Sequence, residues 1–129
     1  MYQRVWFITG SSAGLGRALT DAVLARGERA VVTARTPERV RDLIERYPAQ
    51  ALVLELDVTR SGQVRGVLLE AIERFGHIDV LVNIDEFSEA LAREVAPLVQ
   101  KVITINPVSS NGHSAAMADD IIATVDADT

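Results

Sequence analysis

Twelve residues near the N-terminus, VWFITGSSAGLG from Val5 to Gly16, constrain this chain more than any other stretch. An apolar run of Val5, Trp6, Phe7 and Ile8 ends at Thr9 and meets three glycines spaced Gly-x-x-x-Gly-x-Gly. Behind them Leu15, Ala18, Leu19, Ala22 and Val23 recur at spacings of three and four, the period of an amphipathic helix. Strand, glycine turn and helix together present backbone N–H groups and a helix N-terminus, an arrangement suited to a pyrophosphate. Gly10 suits the tight turn out of the strand, Gly14 a close approach of backbone to phosphate, and Gly16 tight packing of helix on sheet. The plainer alternative is a strand–helix turn with no ligand.

The rest of the chain keeps the same rhythm. Arg29–Ala34 reads as a second strand, followed by Thr36-Pro37 as a helix start with Val40, Leu43, Ile44 and Tyr47 inward. Ala51–Leu56 is a third strand, and Ser61 to Phe75 a third helix with Val64, Val67, Leu68 and Ile72 inward, stopped by Gly76. Ile78–Ile84 is a fourth strand, Glu86–Leu98 a helix closed by Pro97, and Val102–Ile105 a fifth strand. A loop over Ser109–Ser114 leads into a last helix over Ala115–Val125. Alternation of this kind predicts an α/β fold: a doubly wound, Rossmann-like parallel sheet of about five strands, order 3-2-1-4-5, with helices on both faces. No linker divides the chain, so residues 1–129 read as a single dinucleotide-binding domain.

Composition narrows the function classes. The net charge is −5 and no basic run exists, which removes the electrostatic footprint of a nucleic-acid binder. No apolar run approaches the about 18–20 residues of a membrane span, and the stretch before the glycines is too short for a signal peptide. A cytoplasmic location is the expectation. Cysteine is absent, and the two histidines, His77 and His113, stand far apart, so no metal site is expected. Ser109, Ser110, His113, Asp119 and Asp120 hold the residue types of a hydrolase triad, but no strained Gly-x-Ser-x-Gly elbow accompanies them.

These residues resemble the short-chain dehydrogenases/reductases. Thr9-Gly10-Ser11-Ser12-Ala13-Gly14-Leu15-Gly16 matches that family's cofactor fingerprint, Thr-Gly-x-x-x-Gly-x-Gly, at every fixed position. Asp57-Val58 looks like its adenine-side acidic motif, and Val82-Asn83 like the start of its Asn-Asn-Ala-Gly motif. The resemblance implies a cofactor site at Gly10, Ser11, Ser12, Gly14, Leu15, Gly16, Arg35, Asp57, Val58 and Asn83. Cofactor choice can be read from the second strand's end, where an acid usually selects NAD through the ribose hydroxyls. Ala34-Arg35-Thr36 offers a guanidinium there instead, suited to a 2′-phosphate, with Arg17 as a further charge. NADP(H) is the expected cofactor, with NAD the alternative.

The same resemblance implies a Tyr-x-x-x-Lys pair and a strand serine for catalysis. The chain has two tyrosines, Tyr2 and Tyr47, and one lysine, Lys101, which Pro97 precedes by four positions. No Tyr-x-x-x-Lys occurs, and Ile84-Asp85-Glu86 stands where the Asn-Ala-Gly would continue. The segment from Ser88 to Pro107 looks like the helix and strand that follow the family's catalytic helix, as though the catalytic segment were deleted. Catalytic residues are therefore unassigned. Three readings stand: an NADP(H)-binding protein without efficient turnover, a weak oxidoreductase on a carbonyl or alcohol, or an interaction scaffold. An apolar stripe of Phe87, Leu91 and Val95 is expected to lie exposed and to form a homo-oligomer, a dimer.

Overall fold

The computed structural model describes residues 3–10, 14–57, 59–84, 89–105 and 114–128. Five parallel strands run β1 (Val5–Ile8), β2 (Arg29–Ala34), β3 (Ala51–Glu55), β4 (Val80–Asn83) and β5 (Lys101–Thr104). Their order across the sheet is β3-β2-β1-β4-β5, as the alternation predicts. Helices α1 (Gly14–Ala25), α2 (Arg41–Arg46), α3 (Ser61–Phe75) and α4 (Glu89–Val95) lie in the connections between strands, and α5 (Ser114–Ala127) follows β5; together they cover the faces.

Side chains alternate between two cores because successive strand residues point to opposite faces. Trp6, Ile8, Val32 and Val82 face one way and pack with Leu15, Leu19 and Val23 of α1, Leu43 of α2, and Ile121, Ile122 and Val125 of α5. Val5, Phe7, Val31 and Leu81 face the other way, against Val64, Leu68 and Ala71 of α3 and Leu91 and Val95 of α4. A strand buried on both faces favours apolar residues throughout, which is why β1 reads as an unbroken hydrophobic run and β4 is apolar from Val80 to Val82.

This packing corrects one expectation. Leu91 and Val95 are buried, at 5% and 0% exposure, so they form part of the core and not a surface for self-association. The periodicity located an apolar stripe correctly, but the sheet's second face is what it covers. Phe87, the third member of that stripe, lies outside the described residues.

Boundaries differ where proline intervenes. Pro37–Val40 forms a 3-10 turn before α2, and Thr36 makes no side-chain cap bond. Pro97 likewise sits in a 3-10 turn, Ala96–Leu98, that ends α4. Gly76 closes α3 in the left-handed region at φ 90°, where its N–H donates to the Ile72 carbonyl.

Two buried carboxylates tie the amino ends of the strands together. Asp79 Oδ2 accepts the Val5 N–H at 2.7 Å and lies 3.0 Å from His77 Nε2. Glu28 Oε1 accepts the indole N–H of Trp6 at 3.0 Å and an Arg4 N–H at 3.3 Å. Arg4 also donates to Asp126 at 2.7 Å, and Arg26 donates to the same carboxylate at 3.0 Å, so the end of α5 is anchored on β1 and α1. The hydrogen bond from Arg4 holds the Asp126 carboxyl below its usual range.

Thr9 plays the corresponding part at the carboxyl ends. Its hydroxyl accepts the Ile84 N–H at 2.9 Å and lies 3.5 Å from the Val82 carbonyl, while its own N–H donates to Val82 at 3.1 Å. Replacing Thr9 by Val leaves a buried N–H unmet and is expected to cost about 1–3 kcal/mol. Urea unfolding would show a lower midpoint with an unchanged slope, and Thr9→Ser would restore part of the loss. A Thr9→Val midpoint equal to that of the parent would contradict this role.

Candidate cofactor-binding site

In open α/β sheets, ligands collect outside the carboxyl ends of the strands, at the point where strand order reverses. Here that point lies between β1 and β4, whose connections run to opposite sides of the sheet. The glycine turn leaves β1 at this place. Gly10 has φ 64° and Gly14 φ 58°, so both stand in the left-handed region that excludes most side chains. A Cβ built on Gly14 would meet nothing within 4 Å. The backbone is therefore bent as only glycine permits and open beside Gly14, the cradle a phosphate group requires at the start of a helix. Leu15 and Gly16 are buried, the leucine in the core, so at these two positions only backbone can face a ligand. Thr20 donates its hydroxyl to the Gly16 carbonyl at 2.7 Å and steadies this first turn. Ser11, Ser12 and Ala13 lie outside the described residues.

The neighbouring strand ends supply charge. Arg35 follows β2 and is exposed, with Thr36 exposed beside it. Asp57 follows β3, which is locked alongside by the Leu56 N–H donating to the Ala34 carbonyl at 3.0 Å. Thr59 lowers the Asp57 pKa from the ordinary carboxylate value, first through its hydroxyl and then through its backbone N–H, and the charge of Arg35 acts in the same direction. Glycine turn, Arg35 and Asp57 thus come together along one rim. Val58 lies outside the described residues.

Two sequence candidates sit differently. Asn83 ends β4 at 1% exposure, and its Oδ1 is buried with no hydrogen-bond partner among the described residues. Arg17 points to α2, where it pairs with Asp42 and donates to the Arg39 carbonyl at 3.1 Å. Its hydrogen bond ties two helices together and, with its charge, holds the Asp42 carboxyl below its usual range. Sequence reading placed Thr9 in the fingerprint without a role of its own, and it missed Thr59 and Gln63. The signal that could have found these two is their place as polar residues flanking a helix start.

A second concavity, about 510 Å³, opens at the opposite rim beneath the end of α5. Its charged walls are already paired, Arg4 with Glu28 and Asp126, and Lys101 with Asp128. That balance favours a structural part over a ligand site. Among the described residues, no group of three or more potential metal ligands occurs. No helix of the described residues is long and apolar enough to cross a membrane.

Comparison with known proteins agrees with this fold. The family model for short chain dehydrogenase matches residues 4–106. An oxidoreductase of Botryotinia fuckeliana is 38% identical over 92 residues, 70% of this chain and 34% of that protein. A short-chain dehydrogenase of Streptomyces avermitilis superposes with a TM-score of 0.69 at 26% identity, covering 92% of this chain and 58% of that one. A metagenomic short-chain oxidoreductase, solved in complex with NADP, superposes at 0.59 with 29% identity over 64% of this chain and 38% of its own. The chain thus spans between one third and three fifths of the length of these relatives.

Proposed function

The chain belongs to the short-chain dehydrogenase family, and from that premise we propose that it binds NADP(H) in preference to NAD(H) at the carboxyl rim of its sheet. The observation that carries this reading is the juxtaposition of an open glycine turn with an exposed arginine, not a carboxylate, at the end of β2. Gly10, Gly14 and the start of α1 would hold the pyrophosphate, with Ser11 and Ser12 of the same turn. Arg35 would pair the 2′-phosphate, and Asp57 with Val58 would take the adenine. The NADP complex of a related oxidoreductase supports the choice of cofactor.

When bound, a nicotinamide cofactor supplies or accepts hydride. This chain's own residues favour binding over efficient turnover. Lys101 opens β5 at the amino rim, paired with Asp128, and Tyr47 ends α2, where its carbonyl accepts the Ala51 N–H at the start of β3. Neither stands where a reacting carbonyl would lie. A weak oxidoreductase on a carbonyl or alcohol is the second reading, favoured by the family and by the relatives' designation as oxidoreductases.

The rim residues Gly10, Gly14, Arg35 and Asp57 all serve the phosphate and adenosine half, whereas Asn83, the residue toward β4, is buried. The adenosine half should therefore carry most of the affinity. 2′-Phospho-ADP-ribose is expected to bind within about tenfold of NADPH, since the rim residues named here lie toward the phosphates and adenosine. Competition calorimetry would measure the ratio. A hundredfold weaker fragment would show that the nicotinamide half is also gripped.

A further inference from the structure

Asp57 is held more firmly than an acid at a strand end needs to be. Its N–H donates to Gln63 Oε1 at 3.0 Å, across a turn and the first residues of α3. Its carbonyl accepts the Arg60 N–H at 3.0 Å. Its Oδ1 accepts both the Thr59 N–H at 3.0 Å and the Thr59 hydroxyl at 2.6 Å. One oxygen, Oδ2, has no bonded partner among the described residues. Asp57 as a residue is only partly buried, and the backbone beneath its carboxylate is pinned at both N–H and C=O.

We propose that Gln63 is a positioning residue for base recognition. By fixing the Asp57 backbone while Thr59 engages Oδ1, it leaves Oδ2 as the oxygen of this carboxylate that is free to accept. The inference rests on the cofactor reading above and deepens it. An acceptor held in one orientation distinguishes purines by their exocyclic group. An amino purine donates an N–H to Oδ2, whereas an oxo purine brings a second acceptor against it. A site built around a fixed polar partner rejects the wrong group far better than a mobile one does. Gln63 would achieve this without touching the nucleotide. In its absence the Asp57 N–H loses its acceptor, the turn after β3 can rotate, and the carboxylate can swing away from either base.

The test compares 2′-phospho-ADP-ribose with its hypoxanthine counterpart by calorimetry, in the parent chain and in two variants. The parent is expected to prefer the adenine ligand by roughly tenfold or more, the consequence of one hydrogen bond to a charged acceptor. Gln63→Leu, similar in size but without an acceptor, should reduce that preference to about threefold or less while the hypoxanthine affinity stays the same. Gln63→Glu keeps an oxygen for the Asp57 N–H and should retain the preference. An undiminished preference in Gln63→Leu would overturn the proposal, as would loss of all binding in both variants, the signature of a merely structural turn. A parent that binds without discriminating the bases also overturns it and leaves the cofactor reading intact. A parent that binds neither ligand overturns both.

Discussion

Gly14→Val is expected to abolish nucleotide binding, a loss of more than about a hundredfold in affinity, while the chain still folds. Two physical effects combine at this position. Gly14 has φ 58°, where an L-residue costs about 1–2 kcal/mol and a β-branched one more. A side chain there would also fill the space that now lies open beside the first turn of α1. The strain acts on stability and the bulk on binding, so the two can be measured apart. Thermal unfolding should fall by several degrees, and calorimetry with NADPH should show no heat of binding. Gly66→Ala on α3 serves as the control, because a Cβ there also meets nothing within 4 Å and no unusual backbone angle is involved. That variant should bind as the parent does and gain about 0.5–1 kcal/mol from helix propensity. Binding by Gly14→Val equal to the parent's would place the ligand elsewhere.

Arg35→Ala is expected to weaken NADPH by about tenfold to a hundredfold and to leave NADH within about twofold. A guanidinium makes paired, charge-assisted bonds to a phosphate that an alanine cannot replace, and NADH lacks that phosphate. Arg35 is exposed and makes no ion pair with another of the described residues, in contrast to Arg17, which is engaged by Asp42. Arg35→Asp should go further and reverse the preference, since an acid at the end of the second strand accepts the ribose hydroxyls. Parallel titrations of the two cofactors against parent and variants would show it. An equal loss for both would make Arg35 a general contributor to surface charge and not a reader of the 2′-phosphate.

Much of the fold was legible because its signals are local. β1, β2 and α3 begin and end where the apolar runs, the glycines and the helical period place them. Strand order followed from the alternation together with the handedness of parallel crossovers. The errors came where tertiary contact decides. Leu91 and Val95 form an apolar stripe whether they face solvent or core, and only the sheet's second face settles which. The buried carboxylates were invisible for the same reason. Glu28 finds Trp6 across 22 residues and Asp79 finds Val5 across 74. A carboxylate in a sequence looks solvated until its donors are known.

The site divides along the same line. The glycine turn and Arg35 could be placed from sequence because strand, turn and helix are contiguous there, and the structure gives Gly10 and Gly14 the positive φ that the turn demands. Asn83 was assigned by resemblance, and its burial depends on packing across β4. Arg17 had equal claim to Arg35 as a charge near the turn, yet its partner on α2 lies 25 residues away. The bonds of Thr59 and Gln63 to Asp57 are short in sequence, but they require the geometry of a particular helix start to become visible.

The most direct measurement is a calorimetric titration of the purified chain with NADPH and NADH in parallel. The account predicts one NADPH bound per chain, at least about tenfold tighter than NADH, the difference expected from pairing a guanidinium with the 2′-phosphate. Binding of neither cofactor, or tighter binding of NADH, would contradict it.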